Sequence, residues 1–238
     1  EICYNTPGTD DEWIEIYNNE ASAVDISGYT IDLGGSTEFT FPGSTSIAAG
    51  DAILVALGSN SDGTYNNDNP FTPDFNSLGV ANADVATENN TNNLNNTTEV
   101  ISLTDGNGGT VDEVTYSDGD ASSTDGDGPT YEIIDITADN SSTAANWRAS
   151  ALDGGSPGAF SEEYVYTGSW SPSNPDGAAA NIDYITISSG TASFSSSTDC
   201  AVLSVAPGAT LNISSGQSIS VGGSATLEAD ATGYAQVL

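Results

Sequence analysis

Between positions 105 and 127 the chain carries Asp105, Asn107, Asp112, Asp118, Asp120, Asp125 and Asp127. Carboxylate and amide oxygens on flexible loops are what calcium takes, in sets of about six to eight. Asp118-Gly-Asp120 and Asp125-Gly-Asp127 share one loop, and the other three residues belong to the hairpin before it. No glutamate stands where a helix-flanked calcium loop needs its bidentate ligand. Asp-Gly pairs also build turns without any ion. Calcium ligation and turn chemistry are therefore both open readings of these seven residues.

Other reactive groups are scarce. The chain has no His, two Cys and one base, Arg148, against 34 acidic residues. Without His there is no Ser-His or Cys-His pair to activate a nucleophile, and a zinc site is nearly excluded. No glycine-rich loop between strand and helix offers a phosphate cradle. In so acidic a chain, carboxylate pairs suited to glycoside hydrolysis have no diagnostic value. The expected function is non-enzymatic. Cys3 and Cys200 are a candidate disulfide, within one chain or between subunits, or else two thiols. Arg148 reads as an internal clamp on a carboxylate or on carbonyls beside Trp147. Trp13 and Trp147 read as structural. Trp170, Tyr164 and Tyr166 are a candidate carbohydrate platform or the packing of a junction. Asn89, Asn95, Asn96, Asn140 and Asn212 begin Asn-x-Ser/Thr triplets.

The net charge of −33 excludes partners that are themselves anionic, namely nucleic acid and acidic membrane. Cations, high salt or basic partners fit it, and so does a plain solubilising exterior. Trypsin-like proteases find one site. No apolar run is long enough to span a bilayer and no signal peptide is present. Glu1 to Tyr4 already reads as a strand, as in a mature chain or an excerpt.

These side chains must be positioned by strands, since no segment keeps a helical period. Ile14 and Ile16 flank Glu15, an alternation that predicts a strand with one buried face. Val24 to Ile31 and Glu38 to Pro42 repeat it, and Ala52 to Ala56 is a continuous apolar run. Residues 59–98, rich in Asn, Asp and Thr, read as a surface insertion or a binding loop. Glu99–Leu103 and Val111–Tyr116 form a hairpin across Thr104–Thr110, followed by a strand at Tyr131–Ile134, and Asn146–Ser150 with Gly154–Gly158 close the region.

The segment Glu12-Trp13-Ile14-Glu15-Ile16-Tyr17-Asn18 resembles the signature strand of lamin tail domains. Similar in order are Val24-Asp25-Ile26-Ser27-Gly28-Tyr29, Phe39, Phe41-Pro42, Ala49-Gly50, Ile101-Ser102-Leu103, Asp105, Gly108, Val111-Asp112, Val114, Asp125-Gly126, Trp147-Arg148 and Ser156-Pro157-Gly158. The resemblance spans about residues 1–160 and implies an immunoglobulin-like β-sandwich, in bacteria usually a module of secreted or surface proteins. The insertion at 59–98 departs from the pattern, and the chromatin-linked role of nuclear members does not fit the charge.

Residues 161–180 read as a linker. From 181 to 238, short strands at 182–187, 201–205, 209–213, 217–221 and 225–229 alternate with small-residue turns, which predicts stacked β-coils. They resemble the first rungs of solenoid-like regions in surface proteins of Bacteroidetes-type bacteria. The expected whole is all-β: a sandwich, a linker and a smaller β-solenoid-like or β-rich module. Its expected role is a secreted or cell-surface structural or adhesive module, with other subunits, surface proteins or glycans as partners. An accessory region of a secreted hydrolase or nuclease, or a carbohydrate-binding module, is the alternative.

Overall fold

The computed structural model describes residues 1–5, 12–57, 94–121, 124, 126, 128–138, 144–230, 233–234 and 236–237. The chain divides into two compact units, Glu1–Gly158 and Ala159–Leu238. The described residues are almost wholly β, with one three-residue 3-10 turn at Ala144–Asn146.

The first unit contains β1 (Ile2–Cys3), β2 (Glu12–Tyr17), β3 (Val24–Asp25), β4 (Thr30–Leu33), β5 (Ser36–Thr40), β6 (Ser46–Ile47), β7 (Ala52–Leu57), β8 (Thr98–Thr104), β9 (Thr110–Ser117), β10 (Pro129–Ile133) and β11 (Trp147–Asp153). Two antiparallel sheets, β11-β10-β1-β2-β7 and β5-β4-β8-β9, enclose one core, and β3 pairs with β6. Ile2, Ile14, Val55 and Tyr131 of the first sheet meet Ile31, Leu33, Phe39, Ile101 and Tyr116 of the second. Each such side chain, fully buried, contributes roughly 1.5–3 kcal/mol. Tyr4 stacks on Tyr116 at 4.3 Å between ring centroids, and Tyr131 on Trp147 at 4.9 Å. This is the sandwich expected from the strand pattern, and it is immunoglobulin-like, as the resemblance implies.

One expectation needs correcting. The alternation in β2 implies a single buried face, yet Trp13, on the opposite face from Ile14, is 1% exposed. Trp13 packs with Cys3 and Leu54 in a second, outer cluster. The strand registers carry a cross-strand row, Leu54–Glu15–Glu1–Glu132–Arg148, over the same outer face. The segment after β11 folds down on that row. Ser156 N donates to Glu1 Oε1 at 3.1 Å, Gly158 N donates to Glu15 Oε1 at 2.6 Å, and Thr130 Oγ1 donates to Glu1 Oε1. Backbone N–H groups and a hydroxyl thus meet Glu1 and one oxygen of Glu15, for which the chain has no basic side chain to spare.

Gly155 lets this segment approach. Its φ is +68°, and a Cβ there would overlap the carboxylate of Glu1 and the hydroxyl of Thr130. Gly155→Ala therefore combines left-handed strain, about 1–2 kcal/mol, with overpacking of about 1–3 kcal/mol. The expected loss is roughly 2–5 kcal/mol by urea unfolding. Gly108→Ala has a similar φ, +85°, but nothing near its Cβ, so it should lose the strain alone. Equal losses in the two variants would show that the close approach to Glu1 is immaterial.

The second unit contains β12 (Glu163–Thr167), β13 (Trp170–Ser171), β14 (Tyr184–Ser189), β15 (Thr191–Phe194), β16 (Thr198–Val205), β17 (Thr210–Ile213), β18 (Ile219–Leu227), β19 (Ala229–Asp230), β20 (Gly233–Tyr234) and β21 (Gln236–Val237). Strands β12, β14, β16 and β18 pair in parallel, as do β15, β17 and β21. The result is a β-solenoid-like stack of about three turns, coiling as the spacing predicts. Ile185, Ile187, Phe194, Leu203, Val205 and Leu211 fill its interior.

Two boundaries differ from expectation. Residues 161–180 are not a linker: β12 lies there and pairs with β14 from Glu163↔Tyr184 onward. Tyr164 is buried at 6% exposure and supplies apolar surface to the stack's first strand. And β18 is one strand of nine residues, not two, because Gly222-Gly223 accommodates a bulge between Val221 and Ser224 instead of ending it.

Candidate functional site

Asp105 is a turn residue. Its Oδ1 accepts the backbone N–H groups of Asn107 and Gly109, each at 2.8 Å. These bonds hold its carboxyl below the usual aspartate range, Gly109 contributing most. Asp112 Oδ1 accepts the N–H of Glu113 at 2.8 Å. Asp118 and Asp120 lie in the turn after β9, where Asp120 N donates to Ser117 O. Asp125 and Asp127 lie outside the described residues. Among the described residues no group of three or more Asp, Glu or Cys side chains is placed to hold a metal ion.

Cys3 is buried in the first unit, packed on Trp13 and Leu54. Cys200 is buried in the second, and burial pushes its thiol up to about 11. Both are thiols in this structure. Arg148 Nε donates to Glu132 Oε1 at 2.6 Å, across the β10–β11 pair. Trp170 packs edge-on against Phe194 and Tyr166, at 5.6 and 5.0 Å between centroids. Tyr164 lies inside the core, and Tyr166 and Trp170, half-buried, pack against it. Of the Asn-x-Ser/Thr positions, Asn95, Asn96 and Asn212 are exposed, and Asn89 and Asn140 lie outside the described residues.

Two surface features were not singled out by the sequence. The first is the outward face of β5-β4-β8-β9. The registers Asp32↔Thr37, Asp32↔Ser102, Ser102↔Glu113 and Thr30↔Thr104 align polar side chains on one face. They floor a cleft of about 550 Å³ rimmed by Gly28, Gly35, Gly106 and Gly108. Thr104 Oγ1 donates to Asp32 Oδ2 at 2.9 Å, Thr30 Oγ1 to the same oxygen at 3.4 Å, and Ser102 Oγ to Glu113 Oε2 at 2.9 Å. Asp32 Oδ1 is shielded from solvent and accepts no hydrogen bond among the described residues. The alternation Thr30-x-Asp32 and Ser102-x-Thr104 is the signal that could have placed these groups on one face.

The second feature is the outer edge of the stack. In one interior lane Ile187 and Val205 are each 0% exposed, while Leu227, the next rung, is 56% exposed. Leu227 belongs to β18, which ends the sheet order and contains neither a charge nor a proline.

Residues 1–118 match the family model of the lamin tail domain. The first compact unit continues past that match through β10, β11 and the segment ending at Gly158. No curated protein and no solved structure matches the chain.

Proposed function

We propose that this chain is a non-enzymatic structural or adhesive module of a bacterial cell-surface protein or filament. The lamin tail match supports a non-catalytic, immunoglobulin-like unit at its front. The observation that carries the reading is the open edge of the stack. Natural edge strands are blunted by charge, proline, a short length or a bulge, and the bulge of β18 at Gly222-Gly223 leaves Ser224–Leu227 in regular register. In a chain of net charge −33, β18 is nine residues long and uncharged. It presents Leu227 on a strand that has β16 as its one ladder partner among the described residues. Such an edge takes a further strand, with main-chain hydrogen bonds giving affinity and the apolar lane giving register. Neighbouring subunits or surface proteins are its partners, in the extracellular, salt- and calcium-containing medium that the charge suits.

Light scattering and electron microscopy of the chain at high salt and calcium, where self-repulsion is screened, test this. The chain should assemble as its concentration rises. Leu227→Lys places a charge in the open lane and should abolish assembly while leaving the melting temperature within a few degrees. A chain that stays monomeric throughout, or assembles equally well as Leu227→Lys, would sink the reading.

A further inference from the structure

We propose that the cleft on the outward face of β5-β4-β8-β9 receives an arginine side chain of a partner protein. The hydroxyls of Thr30 and Thr104 already give their protons to Asp32, and that of Ser102 gives its proton to Glu113. What these three hydroxyls and Asp32 leave toward the cleft is lone pairs and negative charge, and the hydroxyls of Thr37 and Thr110, which also line it, can turn lone pairs to a donor. A ligand that accepts hydrogen bonds finds no proton from these three hydroxyls, whereas guanidinium brings five donors and no acceptor. Asp32 Oδ1 is a buried carboxylate oxygen without a donor among the described residues, a state that calls for a missing partner.

The chain has one basic side chain, and it lies elsewhere. Its single base is Arg148, which is held by Glu132 on the other sheet. Nor does the cleft suit other ligand classes. Its lining of threonines, serine, aspartates and glycines has no aromatic ring on which a sugar could stack and no apolar wall for a lipid. About 550 Å³ is far more than one metal ion needs and accommodates a guanidinium with part of its stem. Nucleic acid and acidic membrane are repelled by the net charge, so a basic ligand comes from protein. Arginine is favoured over lysine because its planar fork can meet Asp32 and the flanking hydroxyl oxygens together. This holds whether or not β18 mediates assembly.

The test titrates the full chain with acetyl-Gly-Arg-Gly-amide, its citrulline analogue and calcium chloride, followed by amide NMR shifts. About 0.15 M salt limits screening to roughly 8 Å and suppresses distant attraction. The arginine peptide should shift the amides of β4, β8 and the Gly106–Gly108 turn. Citrulline, equal in shape but uncharged, should bind at least about tenfold more weakly, as should arginine to Asp32→Asn. If Asp32→Asn fails to fold, Thr37→Lys decides. Thr37 is exposed and opposite Asp32, so a lysine there occupies the cleft in cis and should block the peptide. Any one of three results overturns the proposal: citrulline binding within twofold of arginine, shifts scattered over the acidic surface, or millimolar calcium displacing the peptide from the same amides.

Discussion

The melting temperature should rise, not fall, as the pH is lowered from 8 to 5. Burial pushes the carboxyl of Glu1 up to about 7, and burial does the same to Glu12, also to about 7. Glu15 is raised for the same reason. Each has a folded value above the ordinary 4.5 of the unfolded chain. Between those values the native state holds a proton that the unfolded state has released, so stability falls as pH rises. The contribution is fully present below about 4.5 and is lost as pH climbs through about 7. A displacement of that size corresponds to about 3 kcal/mol for each of Glu1 and Glu12. Asp25, Asp105 and Asp135 are shifted the other way by their hydrogen bonds, so stability also declines when pH falls below the ordinary aspartate value of 3.8. The optimum should therefore lie at about pH 4–5. Self-repulsion of the whole chain acts in the same direction, but salt screens it, and burial is insensitive to salt. Calorimetry across pH 4 to 9 at low and high salt separates the two. Glu12→Gln keeps an oxygen for the N–H of Leu94 and removes one titration, so its profile should be flatter. A wild-type midpoint that climbs between pH 5 and 8 would remove the argument.

What could be read ahead of the structure is what depends on neighbours in sequence. Ile14 and Ile16 announce a strand because their spacing is local, and Gly108 announces a turn for the same reason. The cover over Glu1 and Glu15 comes from Ser156 and Gly158, more than 140 positions away, and no periodicity reports such a contact. Glu163–Thr167 alternates, but the surrounding prolines and glycines make it look like a connector. Only its parallel partner β14 turns it into a rung. The aspartates between 105 and 127 draw attention by crowding, yet Asp105 serves its own turn. Asp32, a lone acid in a strand, draws none, because the hydroxyls around it arrive from other positions through register. Fold class is thus written in local pattern, whereas a site assembled across four strands is written in pairing.

Arg148→Ala should lose about 3–5 kcal/mol, the penalty for leaving a buried carboxylate without its partner. The side chain of Glu132 is 6% exposed and that of Arg148 18%, so neither charge can be handed back to water without opening β10 and β11. The loss exceeds what an exposed ion pair would show, roughly 0–1 kcal/mol, and the size of the effect therefore tests the burial. A second variant separates a clamp from a charge the fold merely tolerates. Replacing the pair together, Glu132→Gln with Arg148→Met, removes both desolvation penalties and keeps most of the volume. It should recover most of the stability that Arg148→Ala loses, as happens when buried pairs give way to packed neutral groups. Urea unfolding with unchanged m-values provides the comparison. The row in which the pair sits sharpens the expectation. Glu15 and Glu1 lie next to Glu132 across β2, β1 and β10, so losing the one basic side chain leaves three carboxylates with the α-amino group as the cation beside them. Arg148→Ala should therefore be most damaging at alkaline pH, where Glu1 and Glu15 are ionised, and mildest near pH 5. A midpoint unchanged by Arg148→Ala at pH 8 would mean that the guanidinium is not what holds this face of the sandwich together.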